Sequence, residues 1–305
     1  MNFTFPLKRL KDDRNLFIIL SFIISMVKCI LSKGDDPIKQ ISEGLSIIEE
    51  MNSLYKKKEE IVLDLSGIEW ILPCSALLLS GKIMGFIDKG IKIKYIEPSK
   101  ESVKDYLKEV GFPLGSKMDG RTYSPIKHFG RDKEINREVS NLLNNLNDKV
   151  PGHFGTSIHY ILAELSDNIQ QHSRFSYASI MAQYYPQKKY VDLGVLDDGM
   201  SIPCLFEENN IKFSKDSEAI NLALTGTTTK KGDGPRGFGL RSTREIVKKA
   251  LNGKMYVISR KGVVIINPES KDKSYDFSKE SLSGTILYMR LNTPKEYLNI
   301  YPYLE

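Results

Sequence analysis

The chain has 305 residues, 41% hydrophobic and 27% charged, the profile of an ordinary globular protein with one or two substantial cores. Its net charge of +6 comes from Lys and Arg scattered among Asp and Glu, so nucleic acid is not indicated. Cys29, Cys74 and Cys204 share no metal-ligand spacing and are odd in number, which argues against a zinc site or a disulfide framework and fits a cytoplasmic protein.

The first apolar run, LFIILSFIISMV from Leu16 to Val27, is twelve residues long, whereas a bilayer core takes about 20 residues of helix. Asp12 and Asp13 ahead of it are unlike the positive start of a secretory signal. The run is read as a helix in a core or a subunit interface, which leaves a homodimer open, and no membrane span is expected. Next, DDPIKQISEGLSIIEEMNSLY places Ile38, Ile41, Leu45, Ile48 and Met51 at helical spacing, and EIVLDLSGIEWIL is a β-branched run broken by Ser-Gly. CSALLLSGKIMGFIDKG reads as a helix ending at Gly90, IKIKYIEP as an alternating strand, and KESVKDYLKEVGF as a helix closed by Gly111. Strands alternating with helices predict a small α/β layer domain.

These residues, about 36 to 112, resemble the STAS domain of anti-sigma-factor antagonists. In that family a strand like VLDLSGIEWI runs into a helix whose start often carries Asp-Ser-Ser, with a serine as phosphate acceptor. Here the place reads LPCSALLL, with Pro73 and Cys74 where the usual pair stands. Ser75 is therefore read as an N-terminal cap, with phosphate acceptance as the alternative. Residues 113 to 130, with PLGSKMDGRTYSP rich in Gly, Pro, Ser and Asp, form the candidate linker. Two domains are expected, 1–120 and 121–305, with no internal repeat.

After the linker, KEINREVSNLLNNL and HFGTSIHYILAELSDNIQQHS read as helices. In the second, Ile158, Ile161, Leu162, Leu165 and Ile169 would face a core, while Glu164, Asp167, Asn168, Gln171 and His172 share another side. That polar side is either solvated or a site. VDLGVLDDGMSIP is a strand, Val191 to Leu196, delivering Asp197 and Asp198 into a turn at Gly199. GTTTKKGDGPRGFGLRSTREIV is a threonine cluster and a glycine-rich stretch opening a helix, a backbone arrangement suited to anions. SGTILYMRL, residues 283 to 291, is an alternating strand introduced by Gly284 and Thr285.

In this order the pieces ELSDN, DDGMSIP, GFGL and the closing GT resemble the GHKL family of ATP-binding domains, over residues 131 to 292. The fold class implied is α/β, a STAS-like layer domain followed by a GHKL two-layer sandwich. The cofactors implied are ATP and Mg²⁺, with Asn168 on the metal and Glu164 as general base toward the γ-phosphate. The resemblance implies that Asp197 accepts a hydrogen bond from the adenine amino group, supported by Thr285 through a water, and that Gly199 lets the backbone pass the base. Gly237, Phe238, Gly239 and Leu240 form the phosphate box. Thr229, Lys230, Lys231 and Arg236 belong to a lid. Ser201 and Pro235 stand where the family often has glycine. His172 is either the histidine that follows this box in anti-sigma kinases or a structural residue, and His128, His153 and His159 are read as structural. Three functions fit: an ATP-hydrolysing switch acting on a regulatory protein partner through the STAS-like domain, a serine or threonine kinase of the anti-sigma type, and a nucleotide-sensing scaffold with little turnover. A histidine kinase is disfavoured, because no acceptor histidine lies on a helix pair ahead of the ATP domain.

Overall fold

The computed structural model describes residues 25–55, 60–116, 120–130, 141–142, 144, 150, 154–229, 238–296 and 298–304. The chain is mixed α/β, with a three-stranded parallel sheet, a seven-stranded antiparallel sheet and seven α-helices among the described residues. It divides into two units between Leu114 and Gly115. No helix among the described residues is long and apolar enough to cross a membrane.

In the first unit β1 (Ser25–Lys28), β2 (Glu60–Asp64) and β3 (Lys92–Ile96) lie side by side in that order, with Val27 opposite Leu63 and Ile61 opposite Ile93. Parallel neighbours require crossovers, which α1 (Pro37–Tyr55) and α2 (Pro73–Asp88) supply, and α3 (Glu101–Glu109) follows β3. Asp36 accepts the Lys39 N–H at 3.1 Å ahead of Pro37, so cap and proline together start α1. Its stripe of Ile41, Leu45, Ile48 and Met51 is buried as the spacing predicts. Gly90 and Gly111 take φ of +79° and +76° just past α2 and α3, the left-handed conformation that ends a helix.

Two expectations change in this unit. The end of the first apolar run, Ser25 to Val27, is strand and not helix, while residues 16–24 lie outside the described residues. A short apolar run has no period that separates a buried helix from a strand of a parallel sheet. IKIKYIEP forms a strand as expected, and β3 runs from exposed Lys92 into four half-buried residues at the edge of its sheet. Ser75 does not cap α2: Leu72 holds that position, and Ser75 sits inside the first turn at 0% exposure.

In the second unit the strands run in the order β4 (Tyr123–Gly130), β5 (Tyr177–Tyr185), β6 (Tyr190–Asp197), β10 (Leu282–Asn292), β7 (Lys254–Arg260), β8 (Gly262–Ile266) and β9 (Lys273–Asp276). The candidate linker is corrected here, since residues 123 to 130 form an edge strand. Pro125 hid it, and a proline is tolerated in a sheet at edges and bulges, which is where it falls: the register with β5 shifts between Ser124 and Lys127. The helix expected over KEINREVSNLLNNL lies largely outside the described residues. The helices of this unit are α4 (Gly155–Asn168), α5 (Ile202–Glu208), α6 (Asp216–Leu224) and α7 (Phe238–Glu245). Ile158, Ile161, Leu162 and Leu165 of α4 share one core with Val191, Leu193 and Val195 of β6 and Leu287 and Met289 of β10. Each such side chain taken fully from water stabilises the fold by about 1.5–3 kcal/mol. This packing brings the C-terminal end of α4, with Glu164 and Asn168, into one cleft with Asp197 at the end of β6 and Thr285 of β10.

Candidate functional site

Glu164 and Asn168 stand one turn apart at the end of α4, both half-buried. Straight after Asn168 the helix widens into a π turn, Ile169–Ser173, a distortion that helices carry mostly at functional positions. The turn brings the Ser173 carbonyl to the Met200 N–H, which donates to it. Gly199 is required at this contact. A Cβ there would collide with the Ser173 carbonyl, so the strand-end turn and the π turn can be joined only through glycine. Gly199 therefore serves backbone-to-backbone packing between the two turns.

That junction places Asp197, the last residue of β6 and 4% exposed. Its Oδ1 accepts the Gly199 N–H at 2.9 Å. Burial pushes the Asp197 carboxyl up to about 7, aided by the neighbouring Asp198 charge and opposed by donors from Gly199, Ser173 and Thr285. Asp198 has a different task, accepting the N–H groups of Ser176 and Tyr177 at 2.8 and 2.9 Å. Thr285 lies directly across from Asp197 on β10. Gly284 beside it has φ +93° and sits against the Asp197 carbonyl, at the point where the β10–β7 register shifts.

The Thr285 hydroxyl is 2.8 Å from Ser259 Oγ. Ser259 has one proton, and the carbonyl of Gly284, 3.2 Å away, can only accept. Thr285 is then the donor to Ser259, and its lone pairs remain for the cleft. Ser259 Oγ also accepts the Ile202 N–H at 2.9 Å, which ties the start of α5 to the same pair. Arg260 holds that helix and α6 in place, with Nη1 2.9 Å from Glu207 and Nε 2.8 Å from Asp216. The floor of the cleft thus presents two acceptors, Asp197 and Thr285, between apolar walls that include Ile169, Val195, Ile202, Phe206, Leu240 and Leu287. A flat apolar group carrying an amino donor fits such a floor.

The other end of the cleft is polar. Thr227, Thr228 and Thr229 line it, as do Glu164, Asn168 and Gly239. Gly239, in the first turn of α7, leaves no space for a Cβ beside Glu164 Oε2, and a Cβ there would lie 3.6 Å from Asn168 Nδ2. Asn168 Nδ2 is buried with no hydrogen-bond partner among the described residues. A buried amide without a partner is costly, and a ligand oxygen or water would satisfy it. The described residues hold no group of three His, Cys, Asp or Glu suited to a metal, so a metal here would draw on the Asn168 amide oxygen and on the oxygens of a ligand and water.

Of the residues expected from sequence, Glu164, Asn168, Asp197, Thr229, Gly239, Leu240 and Thr285 line this one cleft. Phe238 opens α7, and its side chain is outside the described residues, as are Lys230, Lys231, Gly232, Gly234, Arg236, Gly237 and His153. His128 bonds Ser179 at 2.7 Å across the β4–β5 pair. Sequence reasoning missed Ser173, Ser259 and Tyr160. Ser259 carried a faint signal, a small hydroxyl inside the apolar strand MYVIS. Tyr160 was readable from helix spacing, one turn before Glu164: burial pushes its hydroxyl above the usual range, and the Glu164 charge acts in the same direction.

Comparison with known proteins adds no relative: no family model matches the chain, and no curated protein matches it significantly.

Proposed function

We propose that the second unit is a GHKL-type Mg-ATP-binding domain that hydrolyses ATP as a switch, and that the first, STAS-like unit conveys its nucleotide state to a regulatory protein partner in the cytoplasm. The observation that carries this reading is the convergence on one cleft of Glu164, Asn168, Asp197, Gly239 and Thr285, residues remote in sequence. Asp197 and Thr285 offer acceptors to the adenine amino group, a pattern that the carbonyl of guanine would not satisfy. The apolar walls take the faces of the base. The unpartnered Asn168 Nδ2 is a donor that a phosphate or water oxygen would satisfy, and the amide oxygen beside it would ligate Mg²⁺, a hard cation that uses few protein ligands and keeps phosphate and water oxygens. When bound, the ion supplies neutralisation of phosphate charge. Gly239 lets the α7 backbone approach the phosphates, and Glu164 takes a proton from the attacking water.

Hydrolysis is preferred to protein phosphorylation on one observation. Ser75, the acceptor that the first unit offered, is fully buried in α2 and out of reach of a phosphoryl donor. The three thiols are free, which suits a reducing compartment. The test is incubation with γ-labelled ATP and Mg²⁺, counting free phosphate and protein-bound label separately, alongside calorimetry with ATP and GTP. Free phosphate with ATP-selective binding is expected. Label retained on a protein hydroxyl would favour the kinase reading, binding without turnover the sensing scaffold, and equal or absent binding of both nucleotides would remove the assignment.

A further inference from the structure

We propose that Ser259 is a positioning residue that sets where the Thr285 hydroxyl points its proton, and through it makes the cleft floor select a ligand amino group over a carbonyl. The role rests on the nucleotide-binding reading above. Thr285 of β10 stands opposite Ser259 of β7 on one side and opposite Asp197 of β6 on the other, so the three form a row across the sheet. Residues opposite one another in a ladder share a face. On β7 that face is otherwise apolar, because Met255 and Val257, four and two residues before Ser259, belong to the core of the second unit. A hydroxyl at 0% exposure in such a place needs partners, and Ser259 has three.

Those partners leave one arrangement of protons. The Ile202 N–H donates to Ser259 Oγ at 2.9 Å, the Gly284 carbonyl stands 3.2 Å away and Thr285 Oγ1 stands 2.8 Å away. The register passes from Leu282 opposite Arg260 to Thr285 opposite Ser259, which makes Ser283 and Gly284 extra residues on β10. The Gly284 carbonyl of this irregular stretch takes the single Ser259 proton, since sending that proton to Thr285 would set two oxygen acceptors against each other. Thr285 then donates to Ser259 and turns its lone pairs to the cleft. With Thr285 5% exposed and Asp197 4% exposed, each direction in the row is held by its neighbours and not by bulk water. Without Ser259 Oγ the Thr285 proton loses this acceptor and is free to turn toward a ligand.

Ser259→Ala deletes one oxygen. The probes are ATP and inosine triphosphate, whose base carries a carbonyl at the 6-position in place of the amino group, and titration at pH 8 keeps Asp197 ionised. Wild type should prefer ATP, and the ratio of the two affinities should fall about tenfold in Ser259→Ala. Thr285→Val keeps the shape and lacks the proton, so adding Ser259→Ala to it should leave its ratio unchanged. A purely structural role for Ser259 weakens both nucleotides together. An unchanged ratio in Ser259→Ala overturns the proposal, and so does a fall that persists in the Thr285→Val background. A second measurement needs no nucleotide: unfolding equilibrium constants of Ser259→Ala, Thr285→Val and the double variant should depart from a simple product by about fivefold. A simple product overturns the proposal as well. Failure of the wild-type protein to bind either nucleotide overturns the ATP reading instead, while the nucleotide-free cycle still decides whether Ser259 holds the Thr285 proton.

Discussion

At the scale of single residues, the proposed site assigns separate work to neighbours that look alike in sequence. Asp197 and Asp198 are adjacent, yet one is 4% exposed on the cleft floor and the other secures two backbone N–H groups of the β5 entry. Asp197→Asn replaces a carboxyl that is acceptor-only once ionised by an amide that can turn its NH₂ toward the adenine amino group. ATP affinity should fall by about 1.5–3 kcal/mol, the worth of a charged hydrogen bond, with the fold intact. Calorimetry of the folded variant decides it, and unchanged affinity would remove Asp197 from the base site. Glu164 and Asn168 should separate in the same way. Glu164→Ala leaves the floor contacts alone, so binding should persist while turnover drops by about 10²–10⁴. Asn168→Ala should instead lose the Mg²⁺ dependence of binding, read by titrating ATP with and without the ion. The acid and amide of ELSDN were visible from spacing alone. The acceptor role of Thr285 was not, because it depends on where the single proton of Ser259 goes.

At the scale of elements, two backbone junctions determine whether those residues meet. The π turn after α4 touches the turn after β6 through Gly199, and Gly284 lets β10 press against the same strand end. Gly199→Ala should destabilise the protein by about 1–3 kcal/mol, since the added methyl strikes a carbonyl of the π turn and backbone cannot step aside cheaply. Because Asp197 is fixed by the Gly199 N–H, the same variant should also bind ATP more weakly. Urea denaturation and calorimetry on one preparation test both, and wild-type stability would show that the junction has slack. Helix and strand assignments held where a period spanned several turns, as in α1 and α4. They failed where the pattern was short or interrupted: the strand after Ile24 has too few residues to show a period, and β4 contains Pro125. The π turns left no trace in the pattern, since apolar spacing is compatible with α and π winding over five residues.

At the scale of the whole molecule, Asp197 links the cleft to global stability. Its carboxyl is ordinarily half-ionised near 3.8 and in the fold near 7. Below pH 4 both folded and unfolded chains carry it neutral. Between 4 and 7 the unfolded chain gives up the proton and the folded one keeps it, so the folded state loses ground as pH rises, and above 7 the penalty is constant. Wild type should therefore lose stability relative to Asp197→Asn between pH 5 and 8, by on the order of a few kcal/mol, measurable from urea midpoints at the two pH values. A constant gap would mean that water or a neighbour solvates the carboxylate. ATP binding should gain from rising pH over the same interval, since the ionised form is the better acceptor. Sequence by itself determined the α/β class, the stripes that build each core and the order of the four polar segments, because periodicity and turn chemistry are local properties. Only tertiary structure decided that β4 completes the sheet, that Ser75 is buried, that Gly199 joins two backbones and that Gly239 of α7 sits against Glu164. Those facts depend on which surfaces meet across the sheet and between α4 and α7, and distances between residues remote in the chain are set by packing that no local pattern encodes.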